Sequence, residues 1–507
     1  MTQHTNVVIG IDLGTTGAKC VIWSIEQKEM ISEASKTYPL LKPNPGWAEQ
    51  DPQELFEAFV YCLRTAIQSA HISPERIVGI GISTAMHTLL AVDDQGTPLT
   101  NCITWADGRS SGQAERIKQQ PDGLDIYRRT GTPIHPMSPL AKLLWMKEAE
   151  PERYASAAKF VSIKEYILYR LYGVWVVDYS IASATGLFNL SDMNWDQEVL
   201  AMLGISHDKL SRPVPVTHML TGLSDDDARS LGILPDTRMI IGSSDGVLAN
   251  LGVGAVAAGD IAISVGTSGA IRTMSEQPIT DERGRTFCYA LTEDRFAIGG
   301  ATNNAGIVLQ WLIEEMGKGQ MTLEQVLDEA SEAAPGADGL LFLPYLNGER
   351  APHWNANARA VFFGLSIRHE RKHMFRAALE GVIFALYAVK NVLAEQHPST
   401  PIHASGGLAK SELWLQMLAD IFGRRVEVPS SVEASCLGAA LVVLRSTGQM
   451  KRWEEAKLWS SSSRTYVPDM GNHATYTKLF RIYESVSGKL QEDFRDITDF
   501  QVRESDA

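Results

Sequence analysis

The sequence predicts an α/β protein built from two duplicated domains around a central ligand cleft. Three observations predict it: an internal echo, a mixture of strand-like and helical runs in each half, and direct joining of the halves. In the echo, Ile9-Gly-Ile-Asp-Leu-Gly-Thr-Thr-Gly-Ala18 recurs as Ile261-Ala-Ile-Ser-Val-Gly-Thr-Ser-Gly-Ala270. Similar segments at the starts of two halves point to a repeated unit, with the boundary near residues 240–260 and domains at 1–245 and 246–507.

Each echoed segment runs through β-branched and aliphatic residues into Gly-Thr-[Thr/Ser]-Gly. Each then resumes as Cys20-Val-Ile-Trp23 or Ile271-Arg-Thr273, the pattern of a hairpin. Further strand-like runs lie at Arg76 to Ile82, Met239 to Gly242 and Gly339 to Leu343. A helix is expected from about Lys372 to Glu395, where Leu379, Val382, Ile383, Leu386 and Val389 keep one face apolar. No Pro/Ser linker separates the halves, so rigid domains about a short hinge are expected to close over a ligand.

The bulk properties exclude several classes. With 507 residues and 44% hydrophobic content the chain can bury more than one core. A net charge of −14 and the lack of any Lys/Arg run argue against a nucleic-acid partner. Five scattered cysteines, without CxxC spacing, fit a reducing compartment and no structural zinc. The start MTQHTNVVIGID lacks the charged beginning and long apolar core of a signal peptide. The uncharged stretch Gly246 to Gly259 is too short and glycine-rich to span a bilayer. A cytoplasmic protein with no membrane partner is expected; the sequence admits a homodimer but carries nothing that fixes the oligomeric state.

Several segments carry chemistry. In Asp12-Leu-Gly-Thr-Thr-Gly17, glycines allow close approach while N–H groups and two hydroxyls can surround phosphate oxygens. Asp12, at a strand end, is placed to hold magnesium through water. An ordinary glycine hairpin would show the same residues, but the second copy, Gly266-Thr-Ser-Gly269, is expected to face the first and contact the same nucleotide. Neither GxGxxG nor GxxxxGK[ST] occurs. Ala404-Ser-Gly-Gly-Leu-Ala-Lys-Ser411 sits before a helical stretch, as a ligand loop or a plain β-to-α turn.

Asp245 ends the apolar run Ile240-Ile-Gly-Ser-Ser-Asp245, either as a turn residue or as the carboxylate that phosphoryl transfer to an alcohol needs. Thr84-Ala-Met-His87 and Thr104-Trp-Ala-Asp-Gly-Arg109 offer His, Trp, Asp and Arg, suited to a polyol, and Arg109 would suit a carboxylated one. Trp105 would equally be a core residue, and Asp107 with Arg109 a surface pair.

Together these segments resemble the FGGY carbohydrate kinase family over nearly the whole chain. Met137-Ser-Pro-Leu-Ala-Lys142-Leu-Leu-Trp145 looks like one family fingerprint. Ala360-Val-Phe-Phe-Gly364-Leu365, continuing to His373-Met and Ala377-Ala-Leu-Glu380, looks like the other. The resemblance implies duplicated actin-like, hexokinase-like (ribonuclease H-like) domains, ATP with Mg2+, and γ-phosphoryl transfer to a sugar hydroxyl. It implies Asp245 as catalytic base, Asp12 as the metal-associated carboxylate, and Thr15, Thr16 and Lys19 as the first phosphate loop. Gly266, Thr267, Gly306, Gln310, Gly407 and Ser411 should line the nucleotide, and Met86 and His87 should touch the sugar.

Cys102 to Arg109, Arg129 to Pro136, Val177-Asp-Tyr-Ser180 and Gly242 to Leu248 most resemble the gluconate-phosphorylating members, which implies D-gluconate. Ser243, Ser244 and Gly246 flank Asp245 where many members carry Asn or Gln, a departure that bears on the substrate. Glu349 and Arg350 match a family motif and would equally form a structural ion pair. Rival readings are a xylulose-type sugar kinase, an actin-like or heat-shock-type ATPase without a small acceptor, and a sugar sensor without catalysis. The chain lacks a separate β-rich C-terminal domain, and it retains both Asp12 and Asp245.

Overall fold

In the computed structural model, which describes residues 5–393, 401–429, 433–460 and 462–505, both echoed segments are antiparallel hairpins. Val7–Leu13 pairs with Gly17–Ser24, with Asp12 opposite Lys19. Ile261–Val265 pairs with Gly269–Ser275, with Val265 opposite Gly269. The chain divides into two compact units, and they interleave in sequence. The first gathers the described residues of Met1–Ala258, Met274–Ala297 and Glu433–Ser460; the second those of Gly259–Thr273, Ile298–Val432 and Ser461–Ala507.

The first unit contains a six-stranded sheet ordered Met219–Leu220, Met239–Ser244, Ile77–Thr84, Val7–Leu13, Gly17–Ser24, Met30–Thr37. Val7–Leu13 runs parallel to Ile77–Thr84, which runs parallel to Met239–Ser244. These strands are buried along nearly their whole length because both sheet faces are covered. One cover is the helix Ala434–Ser446, which a single cut at residue 245 assigns to the other half. Gly10 and Gly81, paired on neighbouring strands, admit it. A Cβ on Gly10 would lie 1.9 Å from the Cys436 carbonyl oxygen, and one on Gly81 would lie 2.2 Å from that of Ala439.

The second unit's sheet includes, in order, Gly269–Ser275, Ile261–Val265, Ile402–Gly406, Val426–Pro429 and Ser462–Tyr466. Ile261–Val265 is parallel to Ile402–Gly406, just as Val7–Leu13 is to Ile77–Thr84. The repeat is therefore one of topology as well as sequence. The expected long helix spans Arg371–Val392, with Leu379, Val382, Ile383, Leu386 and Val389 all buried. Its expected end at Glu395 lies outside the described residues. The run from Gly339 forms a strand only over Leu341–Leu343, because Ala337–Gly339 closes as a 3-10 turn. All five cysteines are free and buried.

Candidate active site

Parallel strands of the first unit end side by side, and the register decides which residues meet there. Asp12 lies opposite Ser83, and Ser243 and Ser244 lie opposite Ser83 and Thr84. After Ser244 the chain turns directly into the helix Asp245–Gly252, so Asp245 opens that helix, partly exposed, at the sheet's C-terminal edge. A carboxylate is favoured there by the helix dipole, and Asp245 Oδ1 accepts the Gly246 N–H at 2.7 Å.

Burial and the nearby Asp245 carboxylate push Asp12 up to about 7. A hydrogen bond from the Ser83 hydroxyl opposes that rise, Glu433 adds to it, and the charge of Lys164 opposes it. Lys164 is fully buried; its Nζ donates to Asp178 Oδ2 at 2.7 Å and to the Ser243 carbonyl at 2.9 Å. Asp178 in turn caps the helix Tyr179–Ser183 through the Ser180 and Ile181 N–H groups, and Ser180 Oγ lies 2.7 Å from Ser244 Oγ. A buried ion pair thus braces the two residues before Asp245. Val177-Asp-Tyr-Ser180 had drawn notice only as a resemblance; Lys164 gave no sequence signal.

The loop Gly14–Thr16 is pinned from several sides. Tyr38 OH donates to the Gly14 carbonyl at 2.7 Å, Gln50 Nε2 to the Thr15 carbonyl at 2.8 Å, and Trp105 Nε1 to Thr15 Oγ1 at 2.8 Å. Trp105 is therefore a link between the phosphate-loop candidate and the sugar-loop candidate rather than core filling. Thr16 is exposed. Lys19 Nζ is engaged by Glu433 Oε1 at 2.8 Å, a partner 414 residues away.

His87 is buried, in the left-handed region at φ 64°. Its Nδ1 lies 2.7 Å from the Ala184 carbonyl oxygen and its Nε2 lies 3.3 Å from Tyr289 OH. Met86 packs against the apolar cluster of the same unit.

Asp107 and Arg109 do pair, but as a buried pair, not a surface one. Arg109 donates to Asp107 through Nε and Nη2, both at 2.8 Å, and to Glu49 Oε1 at 2.5 Å. Its guanidinium lies 3.5 Å from the Trp47 ring centroid and 5.0 Å from that of Trp145. Asp107 also accepts the Ala48 N–H at 2.7 Å. The expectation that Arg109 offers a fork to a substrate carboxylate meets these competing partners, because aromatic faces and two acids already enclose it.

In the second unit one cavity of about 470 Å³ is lined by Gly266, Thr267, Gly306, Gln310, Gly407 and Ser411. All six residues expected at the nucleotide therefore share one pocket, whose wall also includes Leu309, Leu323 and Trp414. Gly306 N donates to the Gly266 carbonyl at 2.8 Å and Ile307 N to that of Thr267 at 3.1 Å. A Cβ on Gly306 would stand 2.5 Å from the Gly266 oxygen, so only glycine allows this approach. Ser411 caps the helix Glu412–Phe422 through the Trp414 N–H at 3.2 Å, which ties its hydroxyl to a structural bond.

The Glu349 carboxylate is taken up by donors of its own neighbourhood, the Arg350 backbone N–H among them. Its carboxylate accepts from Thr302 Oγ1 at 2.7 Å, Asn303 N at 3.0 Å, Asn304 Nδ2 at 3.3 Å and Arg350 N at 2.7 Å. It braces the turn just before Gly306.

The family models for the N-terminal and C-terminal domains of the FGGY family of carbohydrate kinases match residues 7–252 and 261–447. The gluconokinase of Bacillus subtilis (strain 168) is 45% identical over 508 residues, covering 98% of each chain. The solved gluconate kinase from Lactobacillus acidophilus superposes with a TM-score of 0.93 at 36% identity, covering 97% of this chain and 100% of its own. A ligand-bound xylulose kinase from the same organism matches with the same TM-score of 0.93, identity of 36% and coverage of 97% and 100%.

Proposed function

The chain belongs to the FGGY family of carbohydrate kinases, phosphotransferases acting on a sugar hydroxyl, and from that premise we propose that it phosphorylates the terminal hydroxyl of D-gluconate with ATP. The product is 6-phospho-D-gluconate. One observation carries the transfer chemistry: Asp245, a partly exposed carboxylate, opens a helix at the sheet edge where Asp12 also lies, with buried Lys164 behind it. The choice of acceptor rests on likeness to a gluconokinase along the whole chain.

In this reading Asp245 accepts the proton of the terminal hydroxyl. The freed oxygen attacks the γ-phosphorus in line, and the bond to the β,γ-bridging oxygen breaks to release ADP. The Thr15–Thr16 turn of the first unit offers N–H groups and hydroxyls suited to phosphate oxygens, and within the second unit the pocket at Gly266, Thr267, Leu309 and Leu323 receives the nucleotide. Trp105 and the Met86–His87 segment border the sugar.

The residues fit a magnesium ion. Asp12 is held above its usual range by burial and a second carboxylate, an arrangement that a cation relieves. The ion would be shared between Asp12, water and the phosphates. When bound it neutralises charge on the phosphate oxygens. Among the described residues no helix is long and apolar enough to cross a membrane.

The test is coupled ADP release from MgATP with gluconate, D-xylulose, glycerol and no acceptor. Stimulation by gluconate well above the others is expected. Preference for D-xylulose would install the second reading, which the equal structural likeness to a xylulose kinase supports. Hydrolysis indifferent to acceptor would sink both.

A further inference from the structure

The fingerprint Met137 to Trp145 sets Trp145 beside Arg109, and its helix also holds both sugar-facing segments. The helix Pro139–Ala149 is buried along Pro139 to Leu143, and Lys142 within it has no exposed surface. Lys142 Nζ donates to the His87 carbonyl at 2.6 Å, to the Thr104 carbonyl at 2.8 Å and, more weakly, to the Ile103 carbonyl at 3.5 Å. One turn further, Trp145 stands edge-on to Trp47, with ring centroids 5.4 Å apart, and beside Arg109.

The acceptors are informative. His87 occupies the left-handed backbone region, which is strained for a non-glycine residue and persists only when its surroundings impose it. Its carbonyl is bonded by Lys142. The Thr104 carbonyl immediately precedes Trp105, whose indole reaches Thr15. Met86–His87 and Trp105–Arg109 belong to separate stretches of chain, and one ammonium grips the backbone of both. An ammonium has three N–H donors, so a single group can serve three carbonyls that no amide or hydroxyl could satisfy together.

The charge has its own setting. Burial pulls Lys142 down to about 7; Asp107 and Cys102 act to keep the proton on, and Arg109 acts to remove it. Since a buried ammonium is costly to retain for packing alone, the carbonyl bonds give the reason for a lysine here.

We propose that Lys142 is a positioning residue for the acceptor: its ammonium fixes the spacing between the Met86–His87 and Trp105–Arg109 segments, and through them the affinity for the sugar, without touching the sugar. The inference rests on the reading that these two segments border the acceptor. It also accounts for what the fingerprint helix does, since its lysine and its tryptophan hold different ends of the same site.

The experiment uses the full-length enzyme and the Lys142→Met variant, which keeps side-chain length and loses the donors. The KM for gluconate should rise tenfold or more, with kcat falling by a smaller factor and the KM for ATP staying within twofold. A gluconate KM within twofold of wild type overturns the proposal, as does an equal rise in both KM values, the mark of a general loss of structure. Should the methionine variant not fold, Lys142→Ala is assayed with added propylammonium, which restores the deleted atoms. Recovery of gluconate affinity with propylammonium but not with 1-propanol is expected; equal effects, or none, count against the ammonium. A wild-type enzyme that phosphorylates a different polyol overturns the gluconate reading alone, and the KM comparison is then made with that polyol.

Discussion

The two hairpins share a backbone plan and differ in what surrounds it. In the first, Asp12 occupies the strand position that Ser264 takes in the second. Around Asp12 stand Asp245, Glu433, Ser83 and Lys164, and the following loop is bonded by Tyr38, Gln50 and Trp105. Ser264 Oγ accepts a hydrogen bond from Arg272 at 3.2 Å, and the following loop, Gly266–Thr267, is exposed beside an apolar pocket. Duplication supplied two phosphate-sized turns; divergence put charge chemistry beside one and a greasy slot beside the other.

Substitutions can break that contrast, and the largest effect is expected on the charged side. Asp245→Asn should lower kcat about 10³-fold while leaving fold and ATP binding intact, the usual scale for removing a positioned general base. Turnover near wild type would remove Asp245 from the chemistry.

Lys164→Met should cost about 3–5 kcal/mol of stability, because it leaves Asp178 buried without its partner. Urea unfolding of the variant measures this, and Lys164→Met combined with Asp178→Asn should lose less than the two single changes summed. Additive losses would mean the pair does not act as a unit.

Asp12 carries a pH signature. Its pKa is raised in the folded state, so the stability linked to its protonation is complete below the ordinary value near 4 and disappears as pH rises through about 7. Asp12→Asn should therefore be more stable than wild type by about 1–3 kcal/mol at pH 8, with the gap closing toward pH 4. Thermal unfolding of the ligand-free proteins across that range is the measurement, and a gap that widened toward acid would reverse the argument.

On the other hairpin, Thr267→Ala should raise the KM for ATP about five- to tenfold, the scale of one lost hydrogen bond, and leave that for the sugar unchanged. A sugar effect of equal size would blur the division between the two hairpins.

The parts legible in the sequence are those written in local runs. The hairpins, the strands at Ile77–Thr84 and Met239–Ser244 and the helix Arg371–Val392 follow from alternation, β-branching and apolar periodicity. The six residues that the resemblance assigns to the nucleotide line one cavity of the second unit. What escaped were partners far apart in the chain: Lys19 with Glu433, Lys164 with the Ser243 carbonyl, Lys142 with His87 and Thr104. Nothing in a lysine's neighbours tells whether its ammonium meets solvent or carbonyls. Arg109 shows the reverse, since a residue suited by type to a substrate carboxylate is enclosed by Asp107, Glu49 and two indoles.

By itself the sequence determined the α/β class, the repeated hairpin and its glycine turns, because backbone conformation at those places depends on glycine, β-branching and spacing within a few residues. Only the tertiary structure decided that Glu433–Ser460 completes the first unit, that Asp107 and Arg109 satisfy each other, and that Lys142 and Lys164 end on buried backbone carbonyls. Those outcomes depend on which buried charges and carbonyls the packing brings within about 3 Å of each other, the hydrogen-bond distance at which a costly desolvated group becomes a satisfied one.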